Sequence, residues 1–325
     1  WLVEDSIVQV DSPKDVPLSA LDKLEKAAVK TYFNKLEEEN IASEKQQKFA
    51  RVVKKRKKTS LNIVKSALRS LFNYLANESE DSNGETYIDR NVMLKFPLNK
   101  EKISETARAE KINSMILKDE QLVKFIPFIE EEYEHLIADN KRTLNQFKKN
   151  FERDTAILYL FIGSGIRLGE LATIEIENLD FQKNRIFVVR KGGTTESVPV
   201  SIDAMHSIKR YLAIRNTRYP GAEYVPFLFV TDKGQIKEIS RRAIQNLVEK
   251  YTGAFLKNSG ITPHKLRHSF ALEYRKRNPG DLLLLSKQLG HTSLNTTKLY
   301  VNMSDQAGIE AMERYSEGLK IESEE

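Results

Sequence analysis

The chain has 325 residues, 40% of them hydrophobic, a net charge of +6 and no cysteine. That length suits about two domains, and the lack of cysteine excludes a disulfide framework and a thiolate zinc site. No apolar run approaches the roughly 20 residues of a membrane span and no secretory signal stands at the start, so a cytoplasmic protein is expected. The first residue is Trp1 rather than methionine, from which we expect the native N-terminus to lie upstream.

Apolar residues recur at three and four over 17–39 and predict a helix. Residues 1–50 carry 7 Lys against 10 Asp/Glu, a net of −3, whereas Arg51 to Asn77 holds 8 basic residues and no acid. These are Arg51, Lys54, Lys55, Arg56, Lys57, Lys58, Lys65 and Arg69. Such a block is the footprint of a polyanion, most often nucleic acid; a solvated charged loop is the plainer reading. A helix follows, with Ser60 as its N-cap and Ile63, Leu68, Leu71, Phe72 and Leu75 as its buried face. Lys65 and Arg69, four apart, then form an exposed basic stripe suited to a DNA groove.

Residues 77–86 form a polar loop. Residues 97–117 open on Pro97, are strongly charged and have few apolar positions, which predicts a linker. It divides an N-terminal helical domain (1–117) from a second domain (118–325). Two helices come next, the second ending at Gly163 and Gly165 as C-caps would. The clear β signal is 184–200: Arg185 to Arg190 alternates, Gly192-Gly193 turns the chain and Ser197 to Val200 returns. Helical patterns resume near 203–216, 240–257, 263–277, 281–289 and 305–319. The expected fold is mainly α with a small antiparallel sheet.

Two of the five histidines, His264 and His268, stand four apart in "TPHKLRHSF", with His291 further on. A helical zinc site uses that spacing, but it also wants a Glu, and here Lys265 and Arg267 intervene. A phosphate site fits better. Thr262 can cap the helix and Pro263 suits its first position. His264 and Arg267, one turn apart, can then grip an anion at the positive end of the helix.

Three further candidates follow the same logic. In "GSGIRLGEL", Arg167 and Glu170 lie beside a glycine turn, where a surface ion pair is the plainer reading. Lys191 sits at the hairpin tip; a solvated turn lysine is commonest there, but it can also deliver a proton to a leaving oxygen. In "LGHTSLNTTKLY", Leu289-Gly290-His291 closes an apolar helix and Tyr300 ends the next one. A single tyrosine among twelve gains weight only from this company.

Taken in order, Arg167, Lys191, His264-x-x-Arg267, Leu289-Gly290-His291 and Tyr300 resemble the tyrosine recombinase (phage integrase) family. The resemblance covers about 120–320 strongly, and 1–117 more loosely as a helical core-binding domain. Within the family the chain is similar to the Xer branch in its single-recombinase form, through "RNVM", "ARAEKI", "GGTTESV", "YLAIRNTRY" and "TPHKLRHSFA". One departure is that Thr194 and Thr195 follow the hairpin glycines, where the family often has a basic residue.

The resemblance implies a site-specific recombinase that works through a 3′-phosphotyrosyl intermediate and a Holliday junction. Tyr300 is the implied nucleophile. Arg167, Arg267, His264 and His291 would hold the phosphate oxygens, Lys191 would act as general acid, and Glu170 would orient its neighbours. Lys54, Lys55, Arg56, Lys57, Lys58, Lys65 and Arg69 are the DNA-binding candidates. His268 is given no catalytic role beyond packing or support.

No metal or other cofactor is implied. The expected partners are double-stranded DNA carrying a specific site and a homo-tetramer that exchanges the helix over 304–315 between protomers, with room for an accessory or translocase protein. Chromosome-dimer resolution is the implied process, and mobile-element integration or transposition is the alternative. A type IB topoisomerase shares the chemistry. A DNA-binding protein without catalysis is the reading from a different class, against which the filled motif positions argue.

Overall fold

The computed structural model describes residues 2–4, 7–38, 58–98, 105–190, 192–231, 234–258, 260–290, 297 and 300. Contacts divide the chain between Lys102 and Ile103 into two compact units. Both are built mainly from helices, and the sheets among the described residues are small and antiparallel. No described helix is long and apolar enough to cross a membrane.

The first unit holds α1 (Leu18–Asp22), α2 (Lys26–Glu38) and α3 (Lys58–Asn73). The first two stand where one helix is expected over 17–39. The break between them has a tertiary cause. Asp22 accepts the backbone N–H of Asp89 (2.9 Å), and Arg90 donates to the carbonyls of Asp22 and Leu24. The chain there bonds to the 88–90 segment instead of extending its own helix.

Helix α3 begins at Lys58, so Ser60 lies inside its first turn and is not the N-cap. Its inward stripe is Leu61 and Phe72, continued by Leu75 in the π-turn Tyr74–Glu78, with Val64 and Leu68 packed beside them. That is the three-and-four spacing of one helix face. Ile63 and Leu71, expected in the stripe, are 72% and 47% exposed because each sits one residue off it. Lys65 and Arg69 are half-buried rather than an exposed stripe, and the Lys65 ammonium lies 5.2 Å from the centroid of the Phe33 ring. Lys54, Lys55, Arg56, Lys57 and the side chain of Lys58 lie outside the described residues.

The second unit begins earlier than residue 117. Helix α4 (Glu105–Asn113) occupies much of the expected linker. Its Ala109, with Ile116 beyond it, shares a buried cluster with Ala271, Leu272, Leu285, Leu289 and Tyr300. The N–H of Leu117 donates to Ser269 Oγ (3.0 Å). Next, α5 (Glu120–Pro127) passes through a π-turn at Phe128–Glu132 into α6 (Tyr133–Leu136). Pro127 has no N–H for the ladder, which accounts for the widened turn.

The spine of this unit is α7 (Lys141–Ser164), whose Ala156, Ile157, Leu158, Leu160 and Phe161 are all buried. It ends on Gly165, which takes a left-handed φ of 64° and donates to the Phe161 carbonyl (3.0 Å). A Cβ there would meet the Phe270 ring at 2.3 Å, so only glycine fits. Gly163, the other expected C-cap, lies within the helix.

After α8 (Leu168–Ala172) come β1 (Leu179–Asp180), β2 (Arg185–Val189) and β3 (Thr195–Pro199), an antiparallel sheet in the order β1–β2–β3. Ile186 pairs with Val198, and Ile186 and Val188 face the core. Helix α9 (Ile202–Arg218), capped by Ser201, packs along α7. A two-stranded ladder of β4 (Val230–Thr231) and β5 (Lys237–Glu238) precedes α10 (Arg241–Leu256), α11 (Pro263–Arg277) and α12 (Leu282–Leu289). The helix expected over 305–319 lies outside the described residues.

Candidate active site

The last carbonyls of a helix have no partner within it and carry the negative end of its dipole. At the end of α12 three such carbonyls each receive an arginine. Arg190 donates to Gln288 O (3.0 Å), Arg267 to Leu289 O and Arg167 to Gly290 O (2.5 Å). Arg267 also donates to Gly165 O at the end of α7 (2.6 Å). Two helix ends are thereby capped by side chains from α8, α11 and the hairpin. Gln288 adds a further stitch, reaching the carbonyls of Ser164 (2.8 Å) and Pro199 (2.9 Å).

Glu170 lies at the centre of this arrangement and is buried. Its carboxylate accepts the Arg167 backbone N–H (2.9 Å) and guanidinium (2.8 Å). It also accepts Arg190 on both oxygens (2.9 and 3.0 Å). The Arg–Glu pair in "GSGIRLGEL" is therefore a half-buried bridge, with Glu170 inside and Arg167 partly exposed, and not a free surface pair.

Helix α11 starts at Pro263, as its sequence indicates, but the Thr262 hydroxyl makes no cap bond. The Thr262 carbonyl instead accepts the N–H groups of Lys265 and Leu266 (2.9 and 3.1 Å). His264 and His268 share a face, with Nε2 atoms 3.1 Å apart, and His268 Nδ1 lies 2.7 Å from Tyr300 Oη. A chain of hydrogen bonds thus runs from Tyr300 through His268 to His264. Arg267, on the same turn of α11, is close enough to Tyr300, Arg167, Glu170 and Arg190 to feel the charge of each. Lys191 and His291 lie outside the described residues, although their chain neighbours Arg190 and Gly290 both touch this cluster. Among the described residues no three His, Asp or Glu come together as metal ligands would.

The phage integrase family profile matches residues 128–307. Tyrosine recombinase XerS of Streptococcus pneumoniae strain Hungary19A-6 is 35% identical over 305 residues, spanning 93% of this chain and 83% of that protein. The chain belongs to the phage integrase family of tyrosine recombinases. XerS of S. pneumoniae strain P1031 is 34% identical over the same shares of both chains. In fold, the recombinase is similar to XerH in its pre-cleavage complex with difH substrate (TM-score 0.58, 20% identity, 93% of this chain and 74% of that one). It is also similar to the Tn1549 transposon integrase (TM-score 0.55, 16% identity, 91% and 85%). As a member of this family it is an enzyme that breaks and rejoins DNA.

The electrostatics of the recombinase favour an anion. Burial pushes the Arg267 guanidinium down to about 10, and Arg167 pushes it the same way, but it remains charged at neutral pH. Burial raises the Tyr300 phenol to about 12 against the pull of Arg267, so the hydroxyl is protonated at rest. Burial also raises the Glu170 carboxyl, but hydrogen bonds from Arg167 and the charge of Arg190 outweigh it and hold the group below its usual range. Three arginines around one buried carboxylate leave a positive balance for a phosphate to meet.

Glu170→Gln is a direct test of this bridge. A depressed carboxyl contributes stability that is present above its unfolded value of 4.5 and is lost as pH falls through the folded value. At pH 7 the variant is expected to be less stable by about 3 kcal/mol, a typical cost of breaking a buried pair. As pH falls below 4.5 its urea midpoint should fall less than that of the wild type. An equal acid loss in both proteins would contradict the bridge.

Arg190 and His268 take part in the cluster although sequence alone assigns neither of them a catalytic role. Both left a signal. The alternation that buries Ile186 and Val188 puts Arg190 on the same inward face, where an arginine needs partners. The four-residue spacing of His264 and His268 puts them on one helix face, and the fold sets the Tyr300 hydroxyl against His268 as the next group in line.

Proposed function

We propose that Tyr300 is the nucleophile of this recombinase and that the substrate is a specific site on double-stranded DNA. The observation that carries the reading is the meeting of Arg167, Arg267 and the Tyr300–His268–His264 chain at the ends of α7, α11 and α12. In the first step the Tyr300 oxygen bonds to the scissile phosphorus and the bond from phosphorus to the 5′ oxygen breaks. The phenolic proton passes to His268, the base already hydrogen-bonded to it, and Lys191 protonates the leaving 5′ oxygen. Arg167 and Arg267 stabilise the charge that builds on the non-bridging oxygens, with His264 and His291 as further donors. Attack by a 5′-hydroxyl from a partner strand reverses the chemistry, so the bond energy is conserved without ATP. Because Tyr300 is only 1% exposed, its oxygen has to come out of this pocket to reach DNA.

The finer assignments belong to the same proposal. Lys54, Lys55, Arg56, Lys57, Lys58, Lys65 and Arg69 contact the duplex in the first unit. The first unit is the core-binding domain and the second the catalytic domain. Four protomers assemble on two sites and exchange the 304–315 helix, with an accessory or translocase protein acting on that assembly. The process is Xer-like resolution of chromosome dimers in the cytoplasm, as the likeness to XerS suggests.

A duplex selected from random DNA by the wild-type protein, placed twice on one plasmid, tests the function. Exchange between the two copies is expected, with full activity in EDTA because side-chain cations stabilise the charge. Supercoil relaxation without exchange would indicate a topoisomerase, and binding without cleavage an inactive DNA-binding protein. Loss of activity in EDTA would require a metal. Mapping the selected site to the replication terminus or to the end of a mobile element separates the two processes.

A further inference from the structure

We propose that Arg190 is the positioning residue of the catalytic centre: it neutralises Glu170 so that the charge of Arg167 stays available to the scissile phosphate. The inference rests on the assignment of Arg167 to that phosphate.

Arg190 is the last residue of the alternating run Arg185–Arg190 and is 7% exposed. Each of its polar groups has a partner. One nitrogen donates to both oxygens of Glu170 (2.9 and 3.0 Å), Nε to Glu196 Oε2 across the hairpin (3.2 Å), and the third to Gln288 O (3.0 Å). Gly290 makes room for it: a Cβ at that position would lie 2.6 Å from the guanidinium carbon. The backbone of Arg190 is fixed as well, its N–H donating to Thr194 O (2.8 Å) and its carbonyl accepting from Gly193 (3.0 Å).

The charge count shows what this arrangement does. Glu170 and Arg167 alone would sum to zero, and a phosphate approaching Arg167 would also meet the carboxylate 2.8 Å from its guanidinium. With Arg190 bonded to both carboxylate oxygens, Arg167, Glu170 and Arg190 sum to +1, and Arg167 can turn its charge toward an anion; Glu196, the other carboxylate on Arg190, is 42% exposed, so water screens its charge. Glu170 keeps its other task, holding Arg167 by side chain and backbone. Arg190 does this without facing the phosphate, since its donors are spent on Glu170, Glu196 and Gln288. A lysine there would supply the charge but not the fork that engages three acceptors at once.

The test measures the rate of covalent adduct formation on the duplex selected by the wild-type protein, at saturating DNA. Arg190→Met is expected to slow it about 10²-fold, near the lower bound for losing a donor to the developing anion. DNA affinity should change little, and Arg190→Lys should fall between the two. Arg190→Met can also fail through misfolding, because it strands a buried carboxylate. The double variant Arg190→Met/Glu170→Gln removes that charge while keeping an acceptor for Arg167. It is expected to recover at least about tenfold over the single variant, a coupling that a double-mutant cycle isolates. A second probe is the same duplex with a methylphosphonate at the scissile position, which has one negative charge fewer. On it the Arg190→Met defect should shrink to within a few-fold.

Equal rates for Arg190→Met and wild type would overturn the proposal. So would a defect that neither the double variant nor the methylphosphonate relieves. Relief only by a 5′-bridging sulfur, which needs no proton on leaving, would assign Arg190 to the hairpin and leaving group instead. Arg167→Ala is the control for the underlying reading: if it cleaves like wild type, the assignment of Arg167 has failed, whatever Arg190 does.

Discussion

Tyr300→Phe is expected to bind the cognate duplex with wild-type affinity and to form no covalent protein–DNA adduct. The substitution removes one oxygen and leaves the ring in its buried cluster with Leu285 and Leu289. The structural cost is the loss of the 2.7 Å bond to His268, worth about 1 kcal/mol. The chemical cost is total, because no other hydroxyl among the described residues lies in this chain of hydrogen bonds. Denaturing gels of wild type and variant on a nicked duplex provide the comparison. An adduct that survives the substitution would assign the nucleophile elsewhere.

Arg267→Met carries the second largest effect, on both rate and stability. Adduct formation is expected to fall by about 10²–10³, the usual cost of losing one donor to a developing oxyanion. Arg267 is only 3% exposed and caps the carbonyls of Gly165 and Leu289, so its removal strands both. At about 1–3 kcal/mol for each unpartnered buried group, the urea midpoint should drop clearly. Arg267→Lys keeps the charge but, as a point donor, cannot hold both carbonyls at once. It is expected to recover part of the stability and little of the rate. A folded Arg267→Met protein that cleaves within a few-fold of wild type would remove Arg267 from the site.

Much of this site could be read from residue order. Arg167 with Glu170, His264 with Arg267, and Tyr300 stand in three separate stretches of the sequence, and their order resembles that of the tyrosine recombinases. What residue order could not supply is the way the arginines are held. Capping of the α12 carbonyls by Arg190, Arg267 and Arg167 depends on which helix end is brought beside which side chain, and only packing decides that. The same applies to Arg90, whose bonds to Asp22 and Leu24 divide the helix expected over 17–39.

The expected linker shows how composition misleads. The stretch 97–117 is highly charged, and its composition alone predicts a linker. Ala109, Ile112 and Ile116 are spaced three and four apart, however, and that suffices for a short helix to seat one face against α11 and α12. In α3 and the π-turn that continues it, three of the five expected positions, Leu68, Phe72 and Leu75, face inward, whereas Ile63 and Leu71 each stand one residue off the stripe. A one-residue error turns a helix face by about 100°.

The central claim is that DNA becomes joined to Tyr300, and trapping that bond tests it most directly. A duplex nicked beside the scissile phosphate lets the cleaved end diffuse away and strands the intermediate. Proteolysis and mass spectrometry of the trapped wild-type adduct should then find the DNA 3′ phosphate on the peptide containing Tyr300. Attachment through any other residue, or through a 5′ phosphate, would contradict the account.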